Sequence, residues 1–278
     1  MPTAQERLDQ INLKLDRAFT HIAELQHRIG EFFNTDPIRV STKRNDTDTG
    51  IVYYVSHIDP SPPMLAAVVG DAIQCMVTAL DHVAWHICCS ETNGNPTNPS
   101  KIYFPVADSA ADYLKNRARK LPGVSPTVLA AFDAVKPYKG GNDEIWQLHE
   151  LNRTEKHRTL LTVGSTTHGT DIGQFMWNSM KAAPNMPPKL LERMGEETKF
   201  RVVLKGDHDG TIPIAVGMEL FGDESGDPPR SDIKFEWGIG LNEPNVVTHL
   251  NIVEALRNYH SAVSRVVDDL KGFLKSTP

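Results

Sequence analysis

Residues 146 to 161 read WQLHELNRTEKHRTLL and carry His149, Glu150, Arg153, Lys156, His157 and Arg158 between bulky apolar ends. Imidazoles, a carboxylate and several cations in one helical stretch are the groups needed for acid/base chemistry on an anionic substrate. At 100° per residue, Trp146, Glu150, Arg153, His157 and Leu161 share one stripe. Ile145, His149, Asn152, Lys156 and Leu160 share the next. Each stripe is polar in the middle and apolar at its ends. A stripe that faces the interior must pair its polar groups, because an unpaired one costs about 1 to 3 kcal/mol. Lys156 and Arg158 flank His157 and point apart, so the six residues cannot all line one pocket.

A second stretch supplies partners. Between Met64 and Ser90 the acidic residues are Asp71 and Asp81, and there is no Lys, Arg or Glu. One stripe is apolar (Val69, Ile73, Met76, Leu80, Val83, Ile87) and another is small and polar (Cys75, Ala79, His82, His86, Cys89). A helix without a charged face is expected at the centre of the fold. Its Asp81, His82 and His86 lie toward the C-terminal end, where an antiparallel neighbour would bring His149 and Glu150. The expected catalytic set is therefore Asp81, His82, Glu150 and His157, with His82 and His157 as acid/base groups and a carboxylate orienting an imidazole. His149, Lys156 and Arg158 form the expected ligand-binding set. His82 and His86 stand four residues apart and could meet a divalent metal with His149, although Glu does not follow the first His as it does in metalloproteases. Two further readings involve no chemistry: a small-molecule binding site in a polar helical core, or a polar network that fixes helix register.

These side chains need elements to hold them. Leu8, Ile11, Leu15, Ala18, Ile22, Leu25, Ile29 and Phe32 alternate at three and four, which predicts a long amphipathic helix ending before Asp36-Pro37. IRVSTK and IVYYVSHI alternate as strands about a polar turn at 45 to 50. IYFPV is short and extended, and helices are expected near 108–119 and 125–135. Strands are expected at 172–178, 199–205, 212–220 and 233–237, with a final long helix to follow. The expected fold class is α+β, a four-helix bundle core with an antiparallel β-sheet packed beside it, in one domain over 1–278. The bundle helices are 3–33, 64–90, 143–163 and 246–274, and strands fill 38–58 and 172–237.

Length and composition narrow the setting. A chain of 278 residues can bury a full core without disulfides or metal. A net charge of −6 argues against extensive nucleic-acid binding or an anionic membrane as partner. Cys75, Cys88 and Cys89, two of them adjacent, read as reduced buried thiols, and with no leader pattern at the N-terminus a cytoplasmic protein is expected. A small-molecule ligand and self-association both fit this composition. Gly164-Ser165 and Gly169 are explained by a helix-to-strand junction, and no glycine-rich phosphate loop is present.

Three segments together, GDAIQCMVTALDHVAWH (70–86), IYFPV (102–106) and LHELNRTEKHRTLL (148–161), resemble a group of uncharacterised bacterial proteins. That group shows G-D-x-L-H-N-L-R-S-A-L-D-H-L, then F-P-[IV], then L-H-E-L-D-x-x-D-K-H-R-x-L. The resemblance covers about 70–162 and implies a polar signature of Asp81, His82, His149, Glu150, Lys156, His157 and Arg158. In those relatives an Arg-x4-His arrangement is similar to that of HEPN-type helical ribonucleases. Val77 stands at the arginine position here, so the group that would hold a scissile phosphate is missing.

Overall fold

The computed structural model describes residues 2–46, 50–157, 163–171, 201–202, 212–223, 233–243 and 246–275. The protein is α+β, with six α-helices among the described residues and two antiparallel sheets. Helix α1 (Ala4–Phe33) opens with a capping box in which Thr3 and Glu6 satisfy each other's backbone N–H groups. Strands β1 (Ile38–Arg44) and β2 (Ile51–Ile58) form the expected hairpin. Helix α2 (Pro63–Glu91) follows, started by Pro62-Pro63.

α2 is buried around most of its circumference, as its lack of a charged face predicts. It packs on α1, on α5 (Asp143–His157) and on the last helix, α6 (Ile252–Leu270). α1 and α6 also touch each other, as do α5 and α6. Arg7 meets the His86–Ser90 end of α2 while Arg17 acts on Cys75, so α1 runs antiparallel to α2. By length and composition α2 could also cross a membrane, a test that a buried core helix passes equally. The shorter helices α3 (Ala110–Lys120) and α4 (Pro126–Val135) lie in the crossover between α2 and α5. Ile102, Phe104, Val106, Leu121, Val128 and Phe132 bind that crossover to the main core.

The strand-rich half differs from expectation in several places. Val163 opens β3 (Val163–Asp171) instead of closing α5, consistent with the β-branched Val163, Thr166, Thr167 and Thr170 in that stretch. Gly164, Ser165 and Gly169 accordingly lie within a strand and not at a junction. Of the strand expected at 199–205, the short β4 (Arg201–Val202) is described. The strand expected at 172–178 lies outside the described residues. The stretch 212–220 is broken: β5 (Ile212–Pro213) ends, Gly217 turns at φ +90°, and β6 (Glu219–Asp223) resumes. β7 extends from Lys234 to Glu243 and pairs with β8 (Val247–Asn251), where helix was expected from 246. Asn251 explains that shift, because its Oδ1 accepts the Val253 and Glu254 N–H groups at 3.1 Å and so starts α6.

Two sheets therefore replace the single one expected. β1-β2-β6 has its own small apolar clusters about Tyr53 and Val55. The order β4-β3-β7-β8, with β5 also on β3, forms the other sheet. Ile239, Leu241 and Val247 of this second sheet join the helical core.

Candidate functional site

Asp81 and His82 are neighbours in sequence and face different parts of the protein. The Asp81 carboxylate accepts the Phe104 backbone N–H at 2.9 Å. Burial pushes its pKa up, while the Phe104 N–H, Lys156 and Lys120 pull the other way. His82 instead feels Lys14 of α1, and burial lowers its pKa. Its Nδ1 is buried without a hydrogen-bond partner among the described residues. His86, one turn on, packs edge-on against His82 with ring centroids 6.0 Å apart. Burial, Arg7 and His82 bring the His86 pKa down to about 4. One residue on a helix is a 100° rotation, which separates the carboxylate from the imidazoles.

The segment Phe104–Asp108 lies on the Asp81 side of α2. Pro105 sits inside a tight turn closed by the Val106 N–H on the Phe104 carbonyl at 3.0 Å. Lys120, the last residue of α3, donates its Nζ to the Val106 carbonyl at 3.3 Å. Ala107 is tied to the chain before α5 by its N–H on the Pro137 carbonyl at 3.1 Å. Asp108 accepts the indole N–H of Trp146 at 3.1 Å, and Lys139 covers that ring with its ammonium 4.7 Å from the centroid. Asp81, Lys120 and Trp146 thus converge on five consecutive residues.

Helix α5 brings the remaining groups. Asn142 caps it by accepting the Ile145 N–H, and Gly70 of α2 lets it approach closely: a Cβ at Gly70 would lie 3.0 Å from Glu155 Cγ. Tyr259 and Arg265 of α6 hold its first turns through Gln147 and Glu144. His149 sits with Nδ1 3.5 Å from Glu150 Oε1 and keeps 35% of its side chain open. Burial, then Lys120, Arg153 and Lys156, lower its pKa to about 4 against a smaller opposing pull from Asp108. The imidazole is therefore neutral at pH 7. Glu150 is buried and pairs with Arg153. Asn152, on the same stripe as His149, is also buried, and its Oδ1 has no partner among the described residues. Lys156 is exposed.

The arrangement regroups the expected residues. Asp81 and His149 come under the influence of the same two lysines, Lys120 and Lys156. Glu150 lies beside His149, while His82 and His86 belong to the α1–α2 interface with Lys14 and Arg7. The expected metal set of His82, His86 and His149 is therefore split between two faces of α2. Among the described residues no three His, Cys, Asp or Glu side chains are placed to hold a metal ion. The side chain of His157 and the whole of Arg158 lie outside the described residues. Val77 is buried in the main core. Lys120 and Asp108 were not expected here; Asp108 follows the Phe-Pro-Val segment by two residues, and Lys120, 14 residues beyond Val106, has no sequence signal.

Asp81, Phe104–Val106 and the pair His149 and Lys156 come from the three segments that carry the resemblance described above, and they meet in one place. Comparison with family models, with curated proteins and with solved structures found no match.

Proposed function

We propose that this protein binds a small anionic molecule on the His149 face of α5, and that α1, α2, α5 and α6 form a four-helix bundle around which the site is built. The observation that carries the reading is an exposed lysine without a partner among the described residues, on the same helix stripe as a partly open, neutral imidazole, Lys156 with His149. Asp81 and Asp108 are engaged by the protein's own donors, Phe104 N–H and Trp146 Nε1. Lys156 reaches solvent and makes no hydrogen bond or ion pair among the described residues. Lys120 and Arg153 stand beside it in acting on the same imidazole. Arg153 is paired with Glu150, so Lys156 is the exposed cation left to meet a ligand, and a free cation beside a partly open, neutral imidazole favours a carboxylate or phosphate group.

Hydrolytic acid/base chemistry on that ligand is the second reading, favoured by one observation. Burial raises the Asp81 pKa and lowers that of His149, so a carboxyl group and a neutral imidazole able to accept a proton share one polar cluster.

Titration with inorganic phosphate, followed by NMR of the histidine ring protons, tests binding. The His149 resonances are expected to move with a Kd of about 1 mM or tighter, an affinity worth roughly 4 kcal/mol. Lys120→Ala and Lys156→Ala are expected to weaken it. Unmoved His149 signals at ~10 mM phosphate would remove the binding reading. Hydrolysis of p-nitrophenyl acetate or phosphate that survives His149→Gln would remove the catalytic one.

A further inference from the structure

Helix α3 is 11 residues long and buries one of them, Tyr113. A helix shorter than about 12 to 15 residues is marginal in water on its own, so outside contacts must hold it. Those contacts lie on its inner side. The Tyr113 ring packs against Tyr138 with centroids 5.8 Å apart, and its hydroxyl donates to Asp133 at 3.0 Å. Arg117 pairs with the same carboxylate at 3.2 Å, and Lys120 ends the helix on the Val106 carbonyl. On the outer side Ala111, Leu114, Lys115, Ala118 and Arg119 are exposed, and Leu114 leaves 57% of its surface in water.

At 100° per residue Ala111, Leu114 and Ala118 form one line, with Lys115 and Arg119, four residues apart, along its flank. The alanines make a shallow floor beside the leucine. Charge on this helix is one-sided: four basic residues stand against one acidic residue, in a chain of net charge −6. That acid, Asp112, accepts the Ser109 hydroxyl at 2.7 Å and pairs with Lys115 at 3.6 Å, a pair so exposed that it contributes little. Arg119 donates to Asn116 at 3.2 Å and makes no ion pair among the described residues.

We infer that the outer face of α3 docks an acidic peptide segment of a partner protein. A large apolar side chain of that segment lies against Leu114 over Ala111 and Ala118, and its carboxylates meet Lys115 and Arg119. Charge complementarity sets the partner's sign, since a guanidinium without an ion pair takes a carboxylate in a two-pronged contact. The apolar line sets its class. No aromatic side chain stands among these five residues for a nucleic-acid base to stack on, and the negative net charge of the whole chain opposes a long polyanion. None of the five enters the anion-binding reading, so the two stand or fall separately.

Short random peptides displayed on phage are selected against the full chain, and the enriched sequences are measured by fluorescence anisotropy. They are expected to carry Asp and Glu around a Leu, Phe or Trp. Leu114→Ser and Arg119→Glu are each expected to weaken them about tenfold, with Arg119→Lys recovering part of the loss. Circular dichroism is expected to show all three variants folded, because both positions are exposed. No enrichment, enrichment of peptides without acidic residues, or binding indifferent to Leu114→Ser and Arg119→Glu overturns the inference. Oligouridylate that binds as tightly and ignores Leu114→Ser makes the face a general polyanion contact and also overturns it. Self-association of the chain that Leu114→Ser abolishes gives the face to a second copy and does the same.

Discussion

The Asp81 carboxylate of α2 holds the backbone N–H of Phe104 at 2.9 Å, across 23 positions of sequence. The acceptor fixes the start of the Phe-Pro-Val turn, and through it the carbonyl that Lys120 binds. Asp81→Ala is expected to leave the Phe104 N–H without its partner and to cost about 1 to 3 kcal/mol in urea denaturation. Asp81→Asn keeps an acceptor oxygen and removes a charge that burial disfavours, so its cost should be well under half of that. Equal losses for both variants would show that the charge matters, and not the hydrogen bond.

A second long-range tie is Arg7, which is 2% exposed. Its Nη1 donates to the His86 carbonyl at 2.8 Å and to Ser90 Oγ at 3.3 Å. Ser90 Oγ in turn accepts the Lys275 N–H at 3.0 Å, so α1, α2 and the C-terminal segment meet at one point. Arg7→Ala should cost about 2 to 4 kcal/mol, since it removes charge-assisted bonds and leaves a cavity. Arg17, on the exposed side of the same helix, is the control, and a similar loss from Arg17→Ala would deny Arg7 this role.

The helices could be read from sequence where one periodicity runs long without interruption. Thirty residues of α1 and 29 of α2 leave little room for another reading, and the missing charges of α2 placed it at the centre. The site was less legible because it depends on rotation. Asp81 and His82 differ by 100° about the α2 axis, an angle that decides which helix each one meets, and apolar residues flank both. Lys120 and Asp108 come from a crossover in which no pattern reports that α3 ends against the Phe-Pro-Val turn. β8 was hidden because Val247–Asn251 also fits the helical spacing of the residues after it. The capping oxygen of Asn251 is the local signal that separates the two.

Acid should destabilise the fold between about pH 6.5 and pH 4. His86 has a folded pKa lowered from 6.5 to about 4, so the unfolded chain binds the extra proton more readily. Its contribution is fully present above 6.5 and is lost as pH falls toward 4, amounting to roughly 3 kcal/mol at most. His149 acts in the same direction, reduced by its exposure. Urea midpoints measured across this window should fall for the wild type and fall less for His86→Gln. Parallel curves for the two proteins would assign the acid sensitivity to other groups.

Gly240 of β7 faces a size constraint that a paired substitution can isolate. A Cβ at Gly240 would stand 2.6 Å from Cγ2 of Thr166, a residue that is 2% exposed on the neighbouring strand β3. Real side chains do not approach that closely, and both backbones are held by the ladder that pairs Gly164 with Gly240 and Thr166 with Gly238. Gly240→Ala should therefore cost about 1 to 3 kcal/mol as an overpacked core position. Thr166→Ser deletes the clashing methyl and should cost about 1 kcal/mol alone. In the double variant the methyl that Gly240→Ala strikes is gone, so the losses should fall short of their sum by about 1 kcal/mol or more. Additive losses in that cycle would mean that the two strands relax apart, and that contact between Gly240 and Thr166 does not set the register of β3 on β7.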